Sequence, residues 1–193
     1  MSVDQEPSAG PLRQAFLAMV AEVLADPRLC VSQLSIPPFL LTDVPSMDVI
    51  FADEIGAIYR ELNGFELSWT TRDGFTPQLS GLTRIQLRLF GATSDRVEDG
   101  FRLTTRGHGS IVARGSERAL TDELTYLTYQ DANATRLRLS PTDYLKAVCR
   151  TRGVWVADMI SQEPSARSAY LSDVSRLFPD LEASDLAFLD EVR

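Results

Sequence analysis

The sequence predicts an α+β fold: a twisted, mainly antiparallel sheet with helices packed on one side, and extra helices at the N- and C-terminal ends. Three observations carry that expectation. Helical periodicity sits at both ends of the chain, while period-two alternation is confined to its middle. Leu82 to Phe90 alternates Ile85, Leu87 and Leu89 with Arg84, Gln86 and Arg88, as a strand with one solvated face does. Finally, Asn63-Gly64 ends a helical pattern and passes at once into a strand pattern, because glycine tolerates the left-handed backbone that closes a helix.

Residues 1–10 read as a disordered tail, 11–160 as the domain, and 161–193 as a C-terminal helical extension. Pro11 suits a first helical turn, Leu12, Phe16, Met19, Val20, Val23 and Leu24 recur at helical spacing, and Asp26-Pro27 stops the run. From Arg28 to Pro45, prolines and the Phe39-Leu40-Leu41 patch predict irregular chain or one short edge strand. A second helix is expected from Ser46 or Asp48 to Leu62, burying Phe51, Ile55, Ile58, Tyr59 and Leu62. Phe65, Leu67 and Trp69 then alternate with Glu66, Ser68 and Thr70 in a strand, and Arg72-Asp73-Gly74 reads as a tight turn.

After the Leu82–Phe90 strand, residues 91–100 read as a polar loop. Phe101 to Thr104, Ser110 to Ala113, Leu124 to Tyr129 and Thr135 to Leu139 read as further strands. Ser140-Pro141-Thr142-Asp143 is a helix start: a capping hydroxyl, a first-turn proline, and an acid at the positive helix end. That helix buries Tyr144, Leu145 and Val148 and stops near Gly153; Val154 to Ile160 is a strand or short helix. Tyr170, Leu171, Val174, Leu177 and Phe178 line a last long helix closed by Pro179, and Ser184 caps a final short one.

The chain has 193 residues, 44% of them apolar and 24% charged, enough to bury a core without disulfides or metals. A net charge of -8 argues against general nucleic-acid binding and against attachment to anionic lipid. No apolar run reaches the ~18 residues of a membrane span, and the N-terminus has no basic region of a secretory signal, so a cytoplasmic location is expected. The two cysteines, Cys30 and Cys149, form no framework, and Cys149 is expected buried on a helix.

No constellation points to catalysis. His108, the single histidine, lies in Arg106-Gly107-His108-Gly109-Ser110, too close in sequence to Ser110 to align with it as a base. Zinc wants four Cys or His ligands, and no phosphate-binding glycine motif is present. Adjacent acids such as Asp53-Glu54 diverge by about 100° on a helix. The Arg-rich stretch from Arg84 to Arg118 lacks interleaved aromatics to stack bases. No cofactor and no metal are expected. Residues 41–70, by contrast, set Asp43, Asp48, Asp53, Glu54, Glu61 and Glu66 against Arg60 alone. An acidic helix face beside a strand suits a basic protein partner, since complementary charge speeds encounter and rejects wrong partners.

The run Tyr59-Arg60-Glu61-Leu62-Asn63-Gly64, followed by Leu67 and Trp69, resembles the signature of the SUKH superfamily. Leu139-Ser140-Pro141-Thr142-Asp143-Tyr144-Leu145 is similar to that family's closing helix, so the likeness covers roughly residues 45–150. The chain departs from the pattern in placing Val44-Pro45 for Leu-Pro and Phe65 after Asn-Gly. The resemblance implies a six-stranded-type α+β domain that binds proteins and is no enzyme. Bacterial members look like immunity proteins that neutralise a cognate toxin by direct binding; fungal relatives look like regulatory scaffolds.

The expected contacts are Asp53, Glu54, Glu61, Glu66, Arg72 and Asp73, and the fold motif is Asn63, Gly64 and Trp69. The expected partner is a cognate toxin or other protein, a basic one suiting the acidic count, with no nucleic acid or membrane, the chain being a monomer or weak homodimer. A scaffold without a toxin partner is the alternative, and a small enzyme using His108 comes third.

Overall fold

The computed structural model describes residues 10–36, 50–51, 53–62, 64–74, 96–97, 100–106, 109–115, 119–128, 134–154 and 164–182. Four helices and eight strands lie within them. Helix α1 (Pro11–Ala25) precedes β1 (Leu29–Ser35) and β2 (Ile50–Phe51). Helix α2 (Asp53–Glu61) and β3 (Glu66–Thr71) flank the glycine corner, where Gly64 holds φ 87°. Strands β4 (Arg96–Val97), β5 (Gly100–Arg106), β6 (Gly109–Gly115), β7 (Ala119–Thr128) and β8 (Ala134–Leu137) follow. Helices α3 (Pro141–Arg150) and α4 (Pro164–Leu177) complete the order, and the fold is α+β with antiparallel sheets.

The strands form two sheets rather than the single one expected. β1 and β3 make an antiparallel ribbon running from Leu29↔Thr71 to Ser35↔Glu66. Ser32 is its extra residue between Val31 and Gln33, and its hydroxyl donates to the Ser68 carbonyl at 3.2 Å. In the second sheet β7 is central: β6 pairs along one edge, and β8 and β2 share the other. β2 is parallel to β7, the exception in an otherwise antiparallel sheet.

Several expectations are corrected. Residues 29–35, read as irregular or a short edge strand, form a seven-residue strand. Phe51 belongs to β2, so helix α2 starts at Asp53. Its spacing to Ile55 matched a helical face, but pairing with Leu120 extends the sheet edge instead. The expected loop at 91–100 contains β4. Leu24 is 57% exposed, because it stands one position round the helix from buried Val23. Leu82–Phe90, Asn63, Phe39–Leu41, His108, Trp155 to Ile160, Ser184 and residues 1–9 lie outside the described residues.

The core is continuous across both sheets and all four helices. Phe16 of α1 packs on Phe65 with ring centroids 3.8 Å apart, and Trp69 meets Phe178 edge-on at 5.7 Å. The period-two pattern of β3 holds: Leu67, Trp69 and Thr71 are buried, Glu66 is exposed. Val174 and Phe178 are wholly buried in the same core, so α4 and the residues just after it pack on the domain. Each such burial stabilises by about 1.5–3 kcal/mol, whereas the exposed Arg176–Asp173 pair on α4 is worth about 0–1. Apolar packing therefore holds α4 in place.

Candidate functional site

Two acidic residues of α2, Glu54 and Glu61, serve the fold. Helix α1 begins at Gly10, which has no side chain to cap it, and the Leu12 N–H donates instead to Glu61 Oε2 at 2.8 Å. Helix α3 has its local cap, Ser140 accepting from the Asp143 N–H, and a second one from Glu54, whose Oε1 accepts the Thr142 N–H at 2.9 Å. Helix α2 is treated likewise: the Ile55 N–H donates to Asp122 Oδ1 of β7 at 3.1 Å. Each carboxylate meets unpaired amides at the positive end of a helix. The solvated acidic face expected on α2 is thereby corrected. Glu54 and Glu61 are half-buried and hold other helices, while Asp53 heads the helix and Glu66 is exposed on the ribbon opposite Ser35.

Arg72 and Asp73 are placed differently. Thr71 to Gly74 form a four-residue turn, closed by the Gly74 N–H donating to the Thr71 carbonyl at 3.1 Å, with Gly74 at φ 90°. The Thr71 hydroxyl donates to Asp73 Oδ1 and braces the turn. The turn forms one wall of a cavity of about 610 Å³ lined by Pro27, Arg28, Thr71, Arg72, Asp73, Asp173, Arg176 and Leu177. Pro27 and Arg28 come from the chain entering β1, which the Arg72 N–H ties to the turn through the Arg28 carbonyl at 3.3 Å. Asp173, Arg176 and Leu177 come from the last turns of α4.

Most charges around this cleft are already matched. Arg28 forks onto Asp26, with Nε at 2.9 Å from Oδ1 and Nη2 at 2.6 Å from Oδ2, and that guanidinium holds the Asp26 carboxyl below the usual carboxylate range. Arg176 lies 3.4 Å from Asp173. Asp73 takes the Thr71 hydroxyl. Among the described residues the Arg72 guanidinium makes no hydrogen bond or ion pair, and it is exposed. The cleft therefore presents one uncommitted guanidinium, with Pro27 and Leu177 in the same lining.

A clamp at Arg152 joins β3 to the end of α4, the elements next to two of these walls. Helix α3 ends in a Schellman motif, Gly153 N–H to Val148 O at 2.8 Å and Arg152 N–H to Cys149 O at 3.1 Å. The left-handed residue after its cap is Arg152, at φ 51°, and not glycine. From there the Arg152 carbonyl accepts the Trp69 indole N–H at 3.0 Å, and its guanidinium carbon sits 4.6 Å above the Phe178 ring centre. The same guanidinium donates to Glu22 of α1 at 3.0 Å and forks onto Asp180 beyond α4. Asp180 raises the Arg152 pKa further, and Arg152 pulls the Asp180 carboxyl below its ordinary value. One residue thus ties α1, β3, α3 and the end of α4 together.

Of the residues expected to act together, the structure unites Arg72 and Asp73, puts Glu66 at the far end of the same strand, and sends Glu54 and Glu61 to separate helix ends. Sequence reasoning missed Arg28, Asp173, Arg176 and the Arg152 clamp. These come from distant segments, and only the Arg152-Gly153 pair after a helix carried a local signal. Burial pushes the Cys149 thiol up to about 12, so it stays protonated and inert at neutral pH. Among the described residues no group of His, Cys, Asp or Glu has a metal-holding arrangement, and no helix is long and apolar enough to cross a membrane. No protein-family model, curated protein or solved structure matches the chain.

Proposed function

We propose that this chain is a protein-binding module of the immunity type, which neutralises a cognate toxin by direct association and performs no chemistry of its own. The observation that carries the reading is the cleft beside the Arg72-Asp73 turn. It is concave, it lies beside elements that Arg152 joins, and it is lined mostly by paired charges together with Pro27 and Leu177. Such a surface suits a polar protein contact, because the charged rim selects the partner while the apolar patches and the arginine anchor contribute affinity. The likeness of the Tyr59–Trp69 and Leu139–Leu145 segments to the SUKH pattern adds the toxin as the class of partner. Asp53, Glu66 and the Arg72-Asp73 turn are the contacts retained from the sequence reading, since Glu54 and Glu61 are engaged within the fold.

The test is co-expression of the chain with the product of the adjacent gene. A stable complex on size exclusion, together with relief of any growth arrest that product causes alone, is the expected result. If the two proteins elute separately and the arrest persists, the reading is wrong.

A further inference from the structure

We infer that the cleft between the β3 turn and α4 receives an acidic side chain flanked by apolar residues from a protein segment, with Arg72 as its anchor. This rests on the protein-binding reading above and gives the contact a sign opposite to the basic partner expected from the acidic count of residues 41–70.

Three arginines, Arg28, Arg72 and Arg176, line the cleft against two carboxylates, Asp73 and Asp173, each of which already has a partner in the Thr71 hydroxyl or Arg176. An anionic ligand meets Arg72, whose guanidinium has no partner among the described residues. A guanidinium presents two parallel N–H donors that match a carboxylate bidentately. Arg28 and Arg176 line the same cavity, and although each is paired, both leave donors for a second acceptor because a guanidinium carries five N–H groups. Pro27 and Leu177 add apolar lining, so an isolated carboxylate fills only part of a 610 Å³ cavity, and a segment that carries leucines beside the acid adds apolar contact. The turn is held by its own hydrogen bonds and α4 by core burial, so the site is organised before the ligand arrives.

The test uses the full chain and blocked peptides, acetyl-Gly-Leu-Glu-Leu-Gly-amide and its Gln counterpart, titrated to millimolar concentration and followed by backbone and arginine Nε–H NMR. Inorganic phosphate is titrated in parallel as a generic oxyanion. The Glu peptide is expected to shift Arg72, Thr71 and Leu177 signals and to bind about tenfold or more tightly than the Gln peptide or phosphate, the usual scale of one charge-assisted contact. Arg72→Gln is expected to remove that preference while leaving the Trp69 near-ultraviolet signal unchanged, since Arg72 is exposed. Equal shifts with both peptides, or with phosphate, overturn acidic-peptide recognition. No shift with either peptide overturns it too. If the adjacent gene product still forms its complex and Arg72→Glu leaves that complex intact, the cleft assignment fails while the binding module stands.

Discussion

Arg152 occupies a backbone conformation that favours glycine, with Gly153 next to it also at positive φ. A left-handed non-glycine residue costs about 1–2 kcal/mol. The side chain offsets this through the Phe178 ring, Glu22 and Asp180, and the arginine head is only 15% exposed. Two substitutions separate the terms. Arg152→Ala loses the clamp and keeps the backbone cost; Arg152→Gly loses the clamp and relieves it. Arg152→Gly is expected to be about 1 kcal/mol more stable than Arg152→Ala, a difference of about 2–4 °C in melting temperature for a domain of this size. Equal stabilities would mean the backbone there carries no strain. From the sequence, Arg152-Gly153 marked the end of a helix. That the left-handed turn starts on the arginine was not legible, because its compensation comes from Phe178 and Asp180, which are distant in sequence.

At the scale of elements, three helices receive a carboxylate from elsewhere: Glu61 for α1, Asp122 for α2 and Glu54 for α3, across 49, 67 and 88 residues of sequence. The sequence showed the local cap at Ser140 because hydroxyl, proline and acid stand side by side. It did not show the distant ones, since helical periodicity places Glu61 opposite the apolar stripe and says nothing of a second helix arriving there. Gly10 now has a definite role. A Cβ at that position would overlap the Glu61 carboxyl, although its φ of -62° suits any residue. Gly10→Ala and Glu61→Ala are each expected to lower stability by about 1–2 kcal/mol in urea denaturation, and the double variant by no more than the larger single loss. Additive losses would separate the glycine from the cap.

For the molecule as a whole, the helix within residues 161–193, read from the sequence as a C-terminal extension, shares the domain's core. Phe178 lies against Trp69 and beneath Arg152, wholly buried. Phe178→Ala is expected to cost about 3–5 kcal/mol and to shift the far-ultraviolet and tryptophan transitions together. A loss under about 1 kcal/mol, or two separated transitions, would make residues 164–182 an appendage after all. The apolar spacing of Val174 and Phe178 showed a helix with one buried face; which surface it covers was not in that spacing.

Periodicity, caps and turn residues are local properties, governed by neighbours three or four positions apart, and from them the chain alone determined its α+β class, the inward Trp69, the glycine corner and the turn at Arg72. Burial and charge pairing depend on segments far apart in sequence. The tertiary structure alone decided that two carboxylates of an acidic helix are engaged within the fold, and that Arg72 stays uncommitted in a cleft completed by α4.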